Sequence, residues 1–149
     1  MSDICDECGA PVPDGGSCRD NFHALLALEF QLPGGPGTVP HFHAVAAYGL
    51  QHPDTMNYTE ATLAGLRDAL ADELDGRATI ETIRRRMRFE AEGATRVTRR
   101  PGDAIVPWRR GSWLMTIADV LIVDPTANAY TERVAAWARS VRAALNAGD

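Results

Sequence analysis

The chain has 149 residues, 45% hydrophobic and 23% charged, with a formal net charge of −5. That make-up suits one ordinary folded domain and excludes both a disordered chain and a coiled-coil rod. The apolar run Leu114–Val123 is broken by Asp119 and falls short of the ~18 residues of a membrane span.

No basic start and apolar stretch resembling a signal peptide opens the chain, so the expected location is the cytoplasm, with reduced cysteines. The charge is uneven. Residues 1–56 carry one Arg against seven Asp and Glu, residues 57–92 balance to −2, and residues 93–149 to +3. An acidic chain of this kind is a poor partner for nucleic acid or an anionic membrane surface, which leaves a protein or a small molecule.

Residues 1–17 read as a loop module: two cysteines followed by Ala10-Pro11-Val12-Pro13-Asp14-Gly15-Gly16-Ser17, too rich in Pro and Gly for a helix or a central strand. Ser17, with Asp20 three residues on, has the pattern of a capping box. A helix is then expected from Cys18 to about Gln31, burying Phe22, Leu25, Leu26 and Phe30. Leu32-Pro33-Gly34-Gly35-Pro36-Gly37 stops it. A second helix runs from Val39 or His41 to about Gln51, since Pro40 suits a helix start and Pro53 disfavours helical geometry at His52.

Asn57 or Thr59 caps a third helix with Leu63, Leu66, Leu70 and Leu74 inside, ended by Asp75-Gly76. Thr79 caps a fourth, with Ile80, Ile83 and Met87 inward. Residues 93–113 form a connector in which Arg96–Arg100 and Ala104–Trp108 can be short extended pieces. Thr116 and Asp119 open a short helix at Ile117–Leu121. The last helix follows Asp124-Pro125-Thr126 and carries Tyr130, Val134, Trp137, Val141 and Leu145 on one stripe. The fold class is therefore mainly α: a bundle of five to six helices with an N-terminal zinc-bound loop. Residues 1–149 make a single domain, comprising the loop 1–17, a helical hairpin 18–53, and the remaining helices and connector 54–149.

All three cysteines and all four histidines fall within residues 5–52. Cys5-Asp6-Glu7-Cys8-Gly9 has the form of a zinc knuckle, whose turn lets two thiolates face one ion while Gly accepts the backbone angle. A redox C-x-x-C would follow a strand and open a helix, which this pair does not. Cys18 offers a third sulfur. The fourth ligand follows from spacing. Cys18 and Glu29 are eleven apart, as are His41 and His52. Eleven helical residues make about three turns, so each pair shares a face but lies ~16 Å apart along its helix. Two helices joined by a short loop pack antiparallel. Cys18 then meets His52 at one end, and Glu29 meets His41 at the other. The expected site is Cys5, Cys8, Cys18 and His52 around Zn2+, with His23 in reserve.

The Glu29–His41 end has two readings. It is a hydrogen bond that fastens the hairpin, or the working pair of a small metal-dependent enzyme with help from His43. A His-x-His on a regular helix points to different sides, which counts against a metal shared by His41 and His43.

These motifs together carry a resemblance. Cys5-x-x-Cys8, Cys18-Arg-Asp-Asn-Phe22, Leu25–Phe30, His41 through Tyr48-Gly49-Leu50-Gln51-His52-Pro53, Thr116–Leu121 and Trp137-Ala138-x-Ser140-Val141 resemble an uncharacterised bacterial family of small proteins of unknown function. The resemblance implies that Cys5, Cys8, Cys18, Glu29, His41 and Gln51-His52-Pro53 are motif positions, with His23 and His43 outside the motif. It implies no activity.

Arg84, Arg85, Arg86 and Arg88 invite comparison with a phosphate surface. However, Glu81–Arg85, Arg86–Glu90 and Arg88–Glu92 stand four apart and can pair along a helix, so a solvated face is expected. Trp108 and Trp113, around Arg109-Arg110, are expected to cap the core. No P-loop, G-x-G-x-x-G, H-E-x-x-H or G-x-S-x-G occurs. The leading expectation is a zinc-binding module with a binding or accessory role.

Overall fold

The computed structural model describes residues 3–32, 38–92, 97–103, 113–121 and 126–147. Six helices follow in order: α1 (Cys18–Phe30), α2 (Val39–Gln51), α3 (Glu60–Leu74), α4 (Ile80–Glu92), α5 (Ile117–Leu121) and α6 (Ala127–Ala147). Among the described residues there is no strand, only isolated antiparallel bridges between Ile4 and Pro11 and between Tyr58 and Thr98. The second bridge realises the extended piece expected around Arg96–Arg100. Ala104–Trp108 lies outside the described residues. No helix among them is long and apolar enough to cross a membrane.

Local chemistry accounts for the helix starts. The Asp20 carboxylate accepts from the Ser17 backbone N–H at 2.7 Å, closing the capping box of α1. Thr59, not Asn57, caps α3, its hydroxyl accepting from Thr62 N–H at 3.2 Å. Asn57 instead takes φ +57°, a left-handed turn position that Asn tolerates. Thr79 caps α4 through Thr82 N–H, and Thr116 with Asp119 opens α5.

The central element is α2. From Phe42 to Gln51 only Val45 is even partly exposed, and α2 packs on both α3 and α6. Gly49 permits this closeness, since a Cβ there would stand 3.0 Å from the Tyr58 ring and 3.2 Å from Leu66. The α6 stripe is buried as expected, at Tyr130, Val134, Trp137, Val141 and Leu145. Gln51 binds α2 to two other parts of the bundle: its amide donates to Met115 O at 2.8 Å and accepts from Trp137 Nε1 at 3.1 Å. A buried amide satisfied at both ends rigidifies the core rather than weakening it.

One helix face differs from expectation. Phe30 is 73% exposed, whereas Glu29 is buried. The inward stripe of α1 is Cys18, Phe22, Leu25 and Glu29, in steps of four, three and four. A helix turns about 100° per residue, so with Glu29 inward Phe30 must face away. The carboxylate holds the inward position because a histidine of α2 pairs with it.

Candidate metal centre

The N-terminal loop is organised around its sulfurs. Cys5 N–H donates to Ala10 O and Gly9 N–H to Cys5 O, both at 2.8 Å. Gly9 has φ +87°, a turn conformation that costs glycine little. Ala10 N–H donates to Cys8 Sγ at 3.4 Å, so the turn after the second cysteine closes on its own sulfur. Cys18 is the first residue of α1, where the helix dipole favours negative charge. His52 follows the last residue of α2.

Antiparallel packing of α1 and α2 brings these places together. Cys18 lies by His52, Phe22 stacks on Tyr48, and Glu29 bonds His41, so each step forward along α1 is a step back along α2. The ligand atoms of Cys5, Cys8, Cys18 and His52 all lie within 4.8 Å of one another. Cys8 Sγ and Cys18 Sγ are 3.8 Å apart, and no disulfide joins any of the three cysteines. Among the described residues this is the one group of three or more ligand-type side chains close enough to hold a metal ion.

The imidazole carries the most telling detail. His52 Nδ1 donates to Tyr48 O at 2.8 Å, which assigns the proton to Nδ1 and leaves the Nε2 lone pair free. His52 is fully buried, and Nε2 stands by the Cys18 sulfur without a hydrogen bond of normal geometry among the described residues. A buried unpaired ring nitrogen is expensive, and an ion held among the sulfurs would satisfy it. The ring is clamped by stacking on Tyr48, at 3.8 Å and 16°, and Tyr48 stacks in turn on Phe22 at 4.1 Å and 10°.

The sulfurs divide one proton unequally. The hydrogen bond from Cys8 pulls the Cys18 thiol down, burial opposes it, and His52 and Asn21 add to the pull, for a pKa of about 4. The same bond and burial push Cys8 up, while burial raises Cys5. Burial, and then the neighbouring sulfur charges, raise the Tyr48 phenol as well. Of the three sulfurs Cys18, at the N-terminus of α1, is thus the readiest thiolate.

A second layer holds the loop in place. Glu7, between the two knuckle cysteines, is buried and accepts from Asp54 N–H at 2.9 Å, Thr55 N–H at 3.2 Å and the Thr55 hydroxyl. Its backbone oxygen accepts from Trp113 Nε1 at 3.2 Å. Asn21 donates to Pro11 O, and Arg99 donates to Pro53 O and Asp54. Glu7, Asn21 and Tyr48 escaped the reading of the sequence, although Tyr48 stands one helical turn before His52 and the pairing was available there. Trp113 sits partly buried against the core, as expected, and also ties down the loop; Trp108 lies outside the described residues.

The other end of the hairpin is built differently. His41 Nδ1 and Glu29 Oε2 are 2.8 Å apart, while His43 Nε2 meets Glu73 Oε2 at 2.5 Å. The two histidines thus turn to separate carboxylates, and Glu29, His41 and His43 make no common metal set. Glu73 has no sequence signal linking it to His43, thirty positions away. His23 is exposed and outside the cluster. Arg86 pairs with Asp72 at 3.2 Å, joining α4 to α3; the Arg88, Glu90 and Glu92 side chains, and with them the expected Arg86–Glu90 and Arg88–Glu92 pairs, lie outside the described residues.

Fold and site together define a helical protein whose N-terminal loop is gathered onto its central helix by a Cys3His cluster able to hold a metal ion. The chain belongs to the family of unknown function DUF5946, whose sequence profile matches residues 3–146. No curated protein and no solved structure matches the chain.

Proposed function

We propose that the protein binds one Zn2+ through Cys5, Cys8, Cys18 and His52, and that this closed site fastens the N-terminal loop to the helices of a binding or accessory module. Three sulfurs and one imidazole form a soft donor set suited to tetrahedral zinc with no position left for catalysis. The observation that carries the reading is His52 Nε2: buried beside the Cys18 sulfur, without a hydrogen bond of normal geometry among the described residues, and oriented by the Nδ1 bond to Tyr48 O. Free thiols in such a cluster need a reducing compartment, which supports the cytoplasm. Its partner class is a protein or a small molecule, not nucleic acid.

The test is protection of the thiols. Protein purified under reducing conditions should contain one zinc per chain, and its three cysteines should resist alkylation until a chelator is added. Rapid alkylation of all three without chelator would overturn the assignment.

A second reading, action on a small molecule by Glu29 and His41, has one observation in its favour. His41 borders a cleft of about 200 Å³ between α2, α3 and α4, with Glu29 buried behind it. Turnover there should vanish in a His41→Gln variant that keeps its zinc; turnover that persists excludes it.

A further inference from the structure

The cleft beside His41 is lined by Phe42, Val45, Leu66, Ile80, Ile83 and Met87, with Thr38, His41 and Arg84 as its polar members. A neighbouring cavity of about 350 Å³ shares Val45, Leu66 and Met87 in its walls and continues along Tyr58 and Val97. An apolar cleft with a few convergent polar groups is the usual form of a small-molecule site. The charge at this one is positive. Arg84 is exposed and has no ion-pair partner among the described residues, while the cleft walls hold no carboxylate.

His41 has an unusual support. Glu29 is only 3% exposed, and its charge is met among the described residues by the His41 ring alone. Its other oxygen, Oε1, and the Tyr130 hydroxyl, a phenol that burial and then Glu29 push up, are buried without a hydrogen bond of normal geometry among the described residues. As a hairpin fastener this is a poor arrangement, since a buried carboxylate needs more than one bond to offset its desolvation. As an orienting group it is apt. A carboxylate on Nδ1 fixes an imidazole so that Nε2 is the atom presented outward.

We propose that this cleft binds a small amphiphilic carboxylate. The apolar body lies along Val45, Leu66 and Met87, and the carboxylate meets Arg84 and the outer nitrogen of His41. A carboxylate needs a donor at Nε2, and with Nδ1 donating to Glu29 this is the doubly protonated ring, whose charge Glu29 balances. Arg84 supplies the second charge-assisted contact. The proposal is independent of the zinc assignment, because the cleft shares no residue with the Cys3His cluster.

The experiment is calorimetric titration of the zinc-loaded full chain with octanoate, and with octanol as the uncharged control. Octanoate should bind, and Arg84→Ala and His41→Gln should each weaken it about tenfold or more, leaving octanol unchanged. Arg84→Lys should recover part of the loss. Val45→Trp, which fills the walls common to both cavities, should abolish binding of both probes, with retained zinc reporting the fold. Octanoate and octanol binding alike, with Arg84→Ala affecting neither, would overturn the carboxylate assignment. Absence of octanoate binding to the unaltered protein at millimolar concentration would overturn the site itself.

Discussion

The two ends of the α1–α2 pair are made from similar parts and solve opposite problems. At one end Cys5, Cys8, Cys18 and His52 crowd into a space where no ligand atom is more than 4.8 Å from another. At the other, His41 and His43 take separate carboxylates, Glu29 and Glu73, as neighbours. Imidazole and carboxylate satisfy each other in pairs, by charge or by a hydrogen bond. Three thiols and an imidazole do not, and they leave a buried nitrogen without a hydrogen bond of normal geometry among the described residues. The sulfur end thus offers a cation a full donor set, whereas at the other end each histidine already has a carboxylate of the chain as its neighbour. The same separation along the helices, ~16 Å for eleven residues, keeps the two solutions from interfering.

The largest expected effect breaks the sulfur end. A closed zinc site contributes folding free energy directly, because the unfolded chain has no preformed site. Cys18→Ala or His52→Ala should lose the metal and free residues 3–17 from their ties to Asp54, Thr55 and Trp113. The melting temperature should fall by ~10 °C or more, since 1 kcal/mol is worth about 2–4 °C at this chain length. Metal content and a melting scan on the same sample check this. A variant that keeps one zinc per chain would show that the fourth ligand is elsewhere.

Next in size is the His43–Glu73 pair, which is nearly shielded from solvent, with side-chain exposures of 7% and 14%. Removing one partner leaves the other buried and unpaired, at a cost of about 3–5 kcal/mol. Removing both should cost less than the two single losses added together, because the second change relieves what the first created. Denaturant titration of His43→Ala, Glu73→Ala and the double variant measures this, and additive losses would show that the contact carries no coupling.

Smaller again is the Glu29–His41 bond, where His41 keeps 30% of its side chain exposed. Glu29→Gln or His41→Ala should cost about 1–3 kcal/mol and leave zinc at one ion per chain. If His41→Ala empties the metal while His52→Ala does not, the contrast between the two ends is reversed.

How much of this was legible beforehand depends on the range of the interaction. Helix limits, the capping residues Ser17, Thr79 and Thr116, and the α6 stripe follow from patterns within a few residues, and they stand in the structure. The convergence of Cys18 and His52 was also readable, because two equal spacings of eleven on rigid helices leave one antiparallel arrangement. Glu73 beside His43 and Tyr130 behind Glu29 were not, since each belongs to a helix whose position relative to α2 no local pattern encodes. Phe30 misled for a related reason. Its hydrophobicity suggested burial, but a carboxylate one position earlier had a partner waiting in α2.

The smallest expected effect is at neither end but on the Arg-bearing outer face, and there the expected result is no effect. Several of its guanidinium groups are already answered. Arg77 lies between Asp72 and Asp75, Arg86 reaches Asp72, and Arg142 crosses from α6 to Asp75. These bonds hold the Asp72 and Asp75 carboxyls below their ordinary range, so they remain charged at neutral pH. What is left, chiefly Arg84 and Arg85, belongs to a chain of net charge −5. Nucleic-acid binding needs several uncompensated cations along one surface, and its affinity falls steeply with salt as counterions are exchanged. Mixed-sequence duplex DNA or RNA should therefore show no measurable retention at physiological salt. Tight retention that weakens steeply as salt rises would move the functional surface from the ends of the α1–α2 pair to the outer face of α4.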